Sequence, residues 1–314
     1  MILVGVTDAG ALAAIDCGTN STRLLVVGPA GAVRAREMTI TRLGEGVDAT
    51  RRLSPEAMER TFATLRAYRS IMDAERVDRA RLVATSAVRD AANGEAFLLP
   101  AGEIIGAHAE LLPGIEEGRL SYAGATADLP VTDGAVVVLD IGGGSTEIVT
   151  KAEGEILSVS LDIGCVRLTE RFLHADPPTT SEVADAVQAI GAELDRATEA
   201  IPPLVEVGRA GRLVGLAGTV STLAALELGL AEYDRERIHH AVLTAASVEG
   251  WCAVLGAEPL AERARRRGLP AGRRDVIFGG ALVLREVMTR FALSQCIVSE
   301  ADILDGLIMS IKPG

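Results

Sequence analysis

Two short segments of this chain share one pattern: Asp16-Cys17-Gly18-Thr19-Asn20-Ser21-Thr22 and Asp140-Ile141-Gly142-Gly143-Gly144-Ser145-Thr146. Each begins with an aspartate, places a glycine next but one, and ends in Ser-Thr. Glycine lets backbone N–H groups converge on one point with no Cβ in the way, and convergent amides cradle phosphate oxygens. A carboxylate at the mouth of such a cradle suits a bound Mg²⁺ or an activated water. Gly18, Thr19, Asn20 and Ser21, with Gly142, Gly143, Gly144 and Ser145, are therefore candidate phosphate contacts, and Asp16 and Asp140 candidate metal ligands. Glu147 leaves the second loop, where its carboxylate and that of Asp140 can face the same phosphate. Arg23 and Arg89 each lie beside a loop, and a guanidinium fork matches phosphate oxygens.

Those groups need rigid elements to hold them. Leu12–Ile15 and Leu24–Val27 flank the first segment, and Val136–Leu139 and Ile148–Val149 flank the second. An apolar run on either side of a short Gly-bearing linker predicts a β-hairpin with a tight turn. In the first half, strands 11–16, 22–27 and 33–42 form a meander, followed by a helix with Ser54 as N-cap and Pro55 at its first position. Its apolar face is Met58, Phe62, Leu65, Tyr68 and Met72. A strand at 81–85, a Gly94–Pro100 segment, a short strand and a helix after Pro113-Gly114 follow. The second half repeats the order. Its strands are 136–140, 147–151 and 155–163, and a helix from Thr180 to Ala200 follows, with Thr179 and Glu182 as a capping box. A strand at 212–216 then enters the turn Ala217-Gly218-Thr219, and a helix continues to Leu230. Two loops in register, each opening one half, predict a duplicated domain with phosphate gripped between the halves. Two βββαβα units match the α/β actin-like ATPase (ribonuclease-H-like) architecture around a cleft. The domains are expected at 1–124 and 125–299, joined near Tyr122–Leu129. A last helix over 300–311, with Ile303, Leu304, Leu307, Ile308 and Ile311 on one stripe, is expected to cross back onto the first domain.

Bulk properties narrow the class. The chain has 314 residues, enough for two domains of about 150 each. It is 48% hydrophobic, yet no apolar run approaches the ~18 residues of a membrane helix, and Met1–Val6 has no basic flank of a signal peptide. Four cysteines (Cys17, Cys165, Cys252, Cys296) stand singly without metal-type spacing, the pattern of free thiols in a reducing cytoplasm. The net charge of −12 argues against nonspecific nucleic-acid binding, which rests on phosphate neutralisation by Lys and Arg. It also requires that any phosphate site concentrate its arginines locally. The dense basic run, Arg263, Arg265, Arg266, Arg267, Arg273 and Arg274, reads as a solvated helix end, with a landing strip for a polyphosphate tail as the alternative. His108, His174, His239 and His240 show no metal spacing; adjacent His239 and His240 are expected to point apart and carry no role.

Further segments carry a family likeness: Ala84-Thr85-Ser86-Ala87-Val88-Arg89-Asp90, Pro113-Gly114-Ile115-Glu116-Glu117-Gly118-Arg119-Leu120, Gly215-Leu216-Ala217-Gly218-Thr219, Arg274-Asp275-Val276-Ile277 and Ser299-Glu300-Ala301. Together with both Asp-Gly loops, they make the chain resemble the exopolyphosphatase and guanosine pentaphosphate phosphatase (Ppx/GppA) family from about residue 14 to 307. The resemblance implies Mg²⁺-dependent hydrolytic release of a terminal phosphate from a phosphoanhydride chain, with Mn²⁺ as a possible substitute. Glu117 matches the family's catalytic glutamate. A carboxylate there can orient and deprotonate an attacking water held in line with the terminal phosphoryl group. Glu116 reads as a helix-dipole partner. Glu147 matches a position tied to metal or water positioning, and Ser86, Arg89, Gly218 and Thr219 complete the implied phosphate contacts. Cys17 stands where the family more often has Ile, Val or Leu, a swap of similar volume. Some members carry a further C-terminal helical region, so this two-domain form is expected to favour short polyphosphates. Inorganic polyphosphate is the leading substrate and guanosine pentaphosphate (pppGpp) the alternative, with neither a nucleic-acid nor a membrane partner, and assembly as a homodimer is expected. A non-catalytic sensor and an actin-fold kinase are the other classes. Glu117 and Glu147 argue against the sensor, and the lack of a sugar-binding insert argues against the kinase.

Overall fold

The computed structural model describes residues 10–129, 135–206 and 211–311. The first sheet is built from β1 (Ala11–Cys17), β2 (Ser21–Val27), β3 (Val33–Ile40), β4 (Val77–Ala84) and β5 (Ala109–Leu111), in the order β3-β2-β1-β4-β5. The second uses β6 (Val136–Ile141), β7 (Thr146–Ala152), β8 (Glu155–Leu161), β9 (Arg212–Leu216), β10 (Val242–Thr244) and β11 (Gln295–Val298), in the order β10-β11-β9-β6-β7-β8. In each, a three-strand antiparallel meander is extended by a strand parallel to its first, β4 beside β1 and β9 beside β6. The duplication expected from the repeated loops is therefore one of topology as well.

Helices cover the sheets where the apolar periodicity places them. Ser54 caps the Pro55–Ala74 helix by accepting from the Ala57 N–H, and Leu65, Tyr68 and Met72 of its predicted face are buried against the first sheet. Thr179 and Glu182 form the full capping box of the Thr180–Ala200 helix, whose Ala186, Ile190, Leu194 and Ala197 enter the second core. Each fully buried Leu or Ile contributes roughly 1.5–3 kcal/mol by leaving water.

Several boundaries differ from the sequence expectation for local reasons. β3 ends at Ile40, not at residue 42, because the N–H groups of Thr41 and Arg42 both turn to the Asn20 carbonyl at 3.2 and 3.0 Å. A helix over Gly94–Ile105 runs through Pro100, which forfeits one ladder hydrogen bond. The Ala217–Glu227 helix begins at once after β9, so Gly218 and Thr219 occupy a helical first turn, not a loop. The last helix spans Ile303–Ser310, because Asp302 caps it and Ser299 exchanges hydrogen bonds with Ala301, keeping 299–302 out of the helix.

That last helix packs on the first sheet, where Ile303, Leu304 and Leu307 cluster with Ala14, Leu25, Val83, Leu112 and Leu120. It crosses the Gly114–Thr126 helix backbone to backbone. A Cβ on Gly124 would lie 1.9 Å from the Asp302 carbonyl oxygen, and one on Gly306 would lie 2.1 Å from that of Leu120. Glycine at both positions is a steric requirement. The Gly114–Thr126 helix also packs on β7 and β8, so it belongs to both domains at once.

Candidate active site

The two glycine loops are the same backbone device. Gly18 donates to the Ser21 carbonyl at 3.0 Å, and Gly142 donates to that of Ser145 at 3.0 Å. In the second loop the carbonyls are drawn outward by the start of the Cys165–Phe172 helix: Gly142 O accepts from Cys165 N (3.0 Å), and Gly143 O from Val166 N (2.9 Å) and Arg167 N (3.1 Å). In the first, Thr19 O accepts from Gly44 N (2.9 Å), and Asn20 O takes the Thr41 and Arg42 amides. A trans peptide sets its N–H opposite its C=O, so anchoring these carbonyls turns the Asn20, Gly143 and Gly144 amides the other way. The loops also touch. A Cβ on Gly143 would meet Asn20 N at 3.1 Å, and one on Gly144 would meet Ser86 Oγ at 2.5 Å.

Between them lies a cavity of about 480 Å³. Fifteen of the candidate residues line it: Asp16, Gly18, Thr19, Asn20, Ser21 and Arg23 from the first hairpin; Ser86 and Glu117; Asp140, Gly142, Gly143, Gly144 and Ser145 from the second; and Gly218 and Thr219. Glu147 and Arg89 stand outside the lining. Arg89 Nη1 donates to the Leu112 carbonyl at 2.9 Å and to Glu117 Oε2 at 3.3 Å, so this one nitrogen ties the glutamate to the end of the preceding strand. Glu147 accepts from Ser160 Oγ at 2.7 Å and is 1% exposed.

Charge is distributed unevenly. Arg23 holds Asp16 through Nη2 (2.6 Å) and Nε (3.1 Å), and Asp302 through Nη1 (2.5 Å). The fork expected to meet phosphate is thus occupied by two carboxylates. Asp140 accepts from Ser121 Oγ at 2.6 Å. Burial, with the hydrogen bond from Ser121 and the charge of Arg23 opposing it, pushes the Asp140 carboxyl up to about 6. Burial and then the nearby Asp140 charge push Glu147 up to about 8. Burial and then the charge of Glu147 hold Glu117 well above the usual carboxylate range, against the pull of Arg89.

Several contributors were not among the sequence candidates. Ser121 lies one turn beyond Glu117 on the same helix face, so its spacing was legible. Asp302 had only a capping signature, and nothing local announces its pairing with Arg23. The basic run disperses. Arg263 is buried, donating to the Leu255 and Arg274 carbonyls, and Arg266 pairs with Glu258 over Trp251. Arg265 and Arg267 are exposed. Arg273 alone of the run lines the cavity, lying over Gly218, with its Nε buried and unpartnered. His239 and His240 also depart from expectation, because a left-handed His240 (φ 64°) folds both rings to one side, stacked at 3.8 Å beside Asp128. His239 Nδ1 accepts from the Glu300 N–H at 3.0 Å, so Nε2 carries the proton and donates to Asp128 at 2.7 Å, leaving this ring no lone pair for a metal.

The donor set fits a hard divalent cation. Asp16 and Asp140 both open onto the cavity, and Asp16 Oδ1 is buried with no hydrogen-bond partner, an acceptor that a cation or its waters would satisfy. Glu147 is set back and engaged by Ser160, so it supports the site from behind.

The chain matches the Ppx/GppA phosphatase family over residues 30–313. It belongs to that family. It is 43% identical over 317 aligned positions to Exopolyphosphatase 2 of Mycobacterium tuberculosis, covering 96% of this chain and 98% of that protein. It is 37% identical to a guanosine-5′-triphosphate,3′-diphosphate pyrophosphatase of Photobacterium profundum, over 69% of this chain and 43% of that one. Among solved structures, an exopolyphosphatase-like protein superposes with a TM-score of 0.90 at 35% identity, covering 96% of this chain and 98% of the other. This Ppx/GppA member therefore shares both its architecture and nearly its full length with exopolyphosphatase-like relatives.

Proposed function

We propose that the protein is a phosphoanhydride hydrolase that releases terminal orthophosphate from inorganic polyphosphate. The observation that carries this reading is the pair of amide cradles facing one cavity with the Glu117 carboxylate on its wall. The Gly143, Gly144 and Asn20 amides would take the oxygens of the terminal phosphate, and Arg273 an oxygen further along the chain. Glu117, aimed by Arg89, would hold the attacking water and take its proton at a carboxylate oxygen. The buried setting suits this role, since a carboxylate with raised proton affinity is the stronger base. Asp16 and Asp140 would hold Mg²⁺, or Mn²⁺ in its place, which neutralises charge on the phosphate oxygens when bound.

Release of a nucleoside-bound terminal phosphate is the second reading. It is favoured by Tyr233, Ser221 and Glu300 at one side of the cavity, an aromatic face and acceptors better suited to a nucleoside than to phosphate. The cysteines are free and buried, and among the described residues no helix is long and apolar enough to cross a membrane. A cytoplasmic homodimer is part of the proposal, and its oligomeric state can be checked by sedimentation. The deciding experiment compares phosphate release from tripolyphosphate, pppGpp and ATP, with Mg²⁺ and with EDTA. Polyphosphate turnover that disappears in EDTA is expected; full activity in excess chelator would sink the metal assignment.

A further inference from the structure

Arg167 lies outside the central cavity, in the first turn of the Cys165–Phe172 helix, and is 6% exposed. It lines a small neighbouring cavity between the domains. Its guanidinium reaches in two directions. Towards its own domain, Nε donates to the Gly144 carbonyl at 2.6 Å. Towards the first domain, Nη1 donates to Asp48 Oδ1 at 2.8 Å, and Nη2 to Asp90 and, at 3.4 Å, to Ser86 Oγ. Arg171 adds a second bond to Asp48 through Nε at 2.9 Å, and Glu170 accepts from the Gly46 N–H at 3.1 Å.

The Gly144 contact has a geometric consequence. The Gly144 C=O and the Ser145 N–H share one planar peptide and point in opposite directions. Arg167 pulls the carbonyl away from the central cavity, so the Ser145 amide is directed towards it. The same guanidinium is anchored to Asp48 and Asp90 of the first domain. Its position, and with it the orientation of that peptide, depends on the two domains being in contact.

We propose that Arg167 is a positioning residue that couples the second phosphate cradle to domain closure, so that the cradle is complete only when the domains meet. This rests on the phosphohydrolase reading above, and it concerns a side chain that touches no substrate. Lysine can keep the charge beside Asp48 and Asp90, but its single ammonium cannot also span to Gly144 as the planar fork does.

The test combines kinetics with a measure of shape. Arg167→Ala should lower kcat/KM for tripolyphosphate by about 10²-fold, the usual effect of losing one aimed donor. It should also raise the radius of gyration in small-angle scattering. Arg167→Lys should keep the wild-type scattering profile yet raise KM about tenfold. Guanidinium at tens of millimolar should partly restore Arg167→Ala, which a general loss of folding would not allow. Asp90→Asn, at the rim of the bridge, serves if the alanine variant does not fold: it should loosen closure while sparing the Gly144 contact, costing less than the alanine change. Folded Arg167 variants within about threefold of wild type in both kcat and KM would overturn the proposal. If the wild type releases no phosphate from tripolyphosphate, the functional reading falls on its own. Scattering then decides closure, and an unchanged profile in Arg167→Ala overturns it.

Discussion

The strand leaving each glycine loop carries opposite chemistry at the same register position. Arg23 pairs across the first hairpin with Asp16, and Glu147 across the second with Asp140. The backbones match down to the Gly-to-Ser hydrogen bond that closes each turn. One half neutralises its aspartate with a guanidinium that also holds Asp302. The other places a second buried carboxyl beside the first, and the Gly114–Thr126 helix, which packs on both sheets, brings Glu117 up to that pair, so protons are held tightly there. A duplicated scaffold can therefore change its charge balance by one side chain: the first hairpin sets a cation against its aspartate, and the second sets a further carboxyl against its own.

The largest effect should come from the carboxyl group that the Gly114–Thr126 helix adds to the second pair. Glu117→Gln keeps size and removes the base, so kcat should fall ~10²–10⁴-fold with substrate affinity near normal. Turnover within a few-fold of wild type would remove Glu117 from the mechanism.

Next in size is the balancing half. Arg23→Gln leaves Asp16 and Asp302 without their cation, at side-chain exposures of only 5% and 12%. Unfolding free energy should drop by about 3–5 kcal/mol, measured by denaturant titration. A loss below ~1 kcal/mol would mean that the two halves do not differ as their charges suggest.

A pH series separates the halves further. Glu147 binds its proton more tightly in the folded protein, at about 8, than its ordinary 4.5. Its contribution to stability is therefore fully present below 4.5 and lost as pH rises through about 8. In EDTA, melting temperature should decline over that window, and Glu147→Gln should flatten the decline. A slope unchanged in the variant would place the titration elsewhere.

The smallest effect concerns the basic run. Arg265 and Arg267 remain exposed, whereas Arg263 and Arg266 are engaged within their own domain. Replacing both exposed arginines by alanine should change kcat/KM for long polyphosphate by less than about threefold, because exposed charges are screened. A larger loss confined to long chains would restore the external track.

What could be read without coordinates was what local physics encodes. The two hairpins, the Ser54 cap and the Thr179–Glu182 box depend on residues within a few positions of one another, so pattern and turn chemistry suffice. The glycines and aspartates of both loops were legible for the same reason, and Glu117 through its surrounding motif. Two boundaries were missed for different reasons: a group about twenty positions away, Asn20, ends β3, whereas the last helix is delayed by its own local cap at Asp302 and the Ser299–Ala301 turn before it.

Local pattern and motif were enough for the duplicated architecture and for fifteen of the residues that line the cavity. Tertiary structure decided how the charges are paired. Arg23 meets Asp302 across 279 positions, Arg167 meets Asp48 across 119, and a single arginine of a run of six turns into the cavity. No local pattern specifies such partners. They follow from how two sheets and one crossing helix pack, and a buried charge takes whichever counter-charge that packing brings within reach.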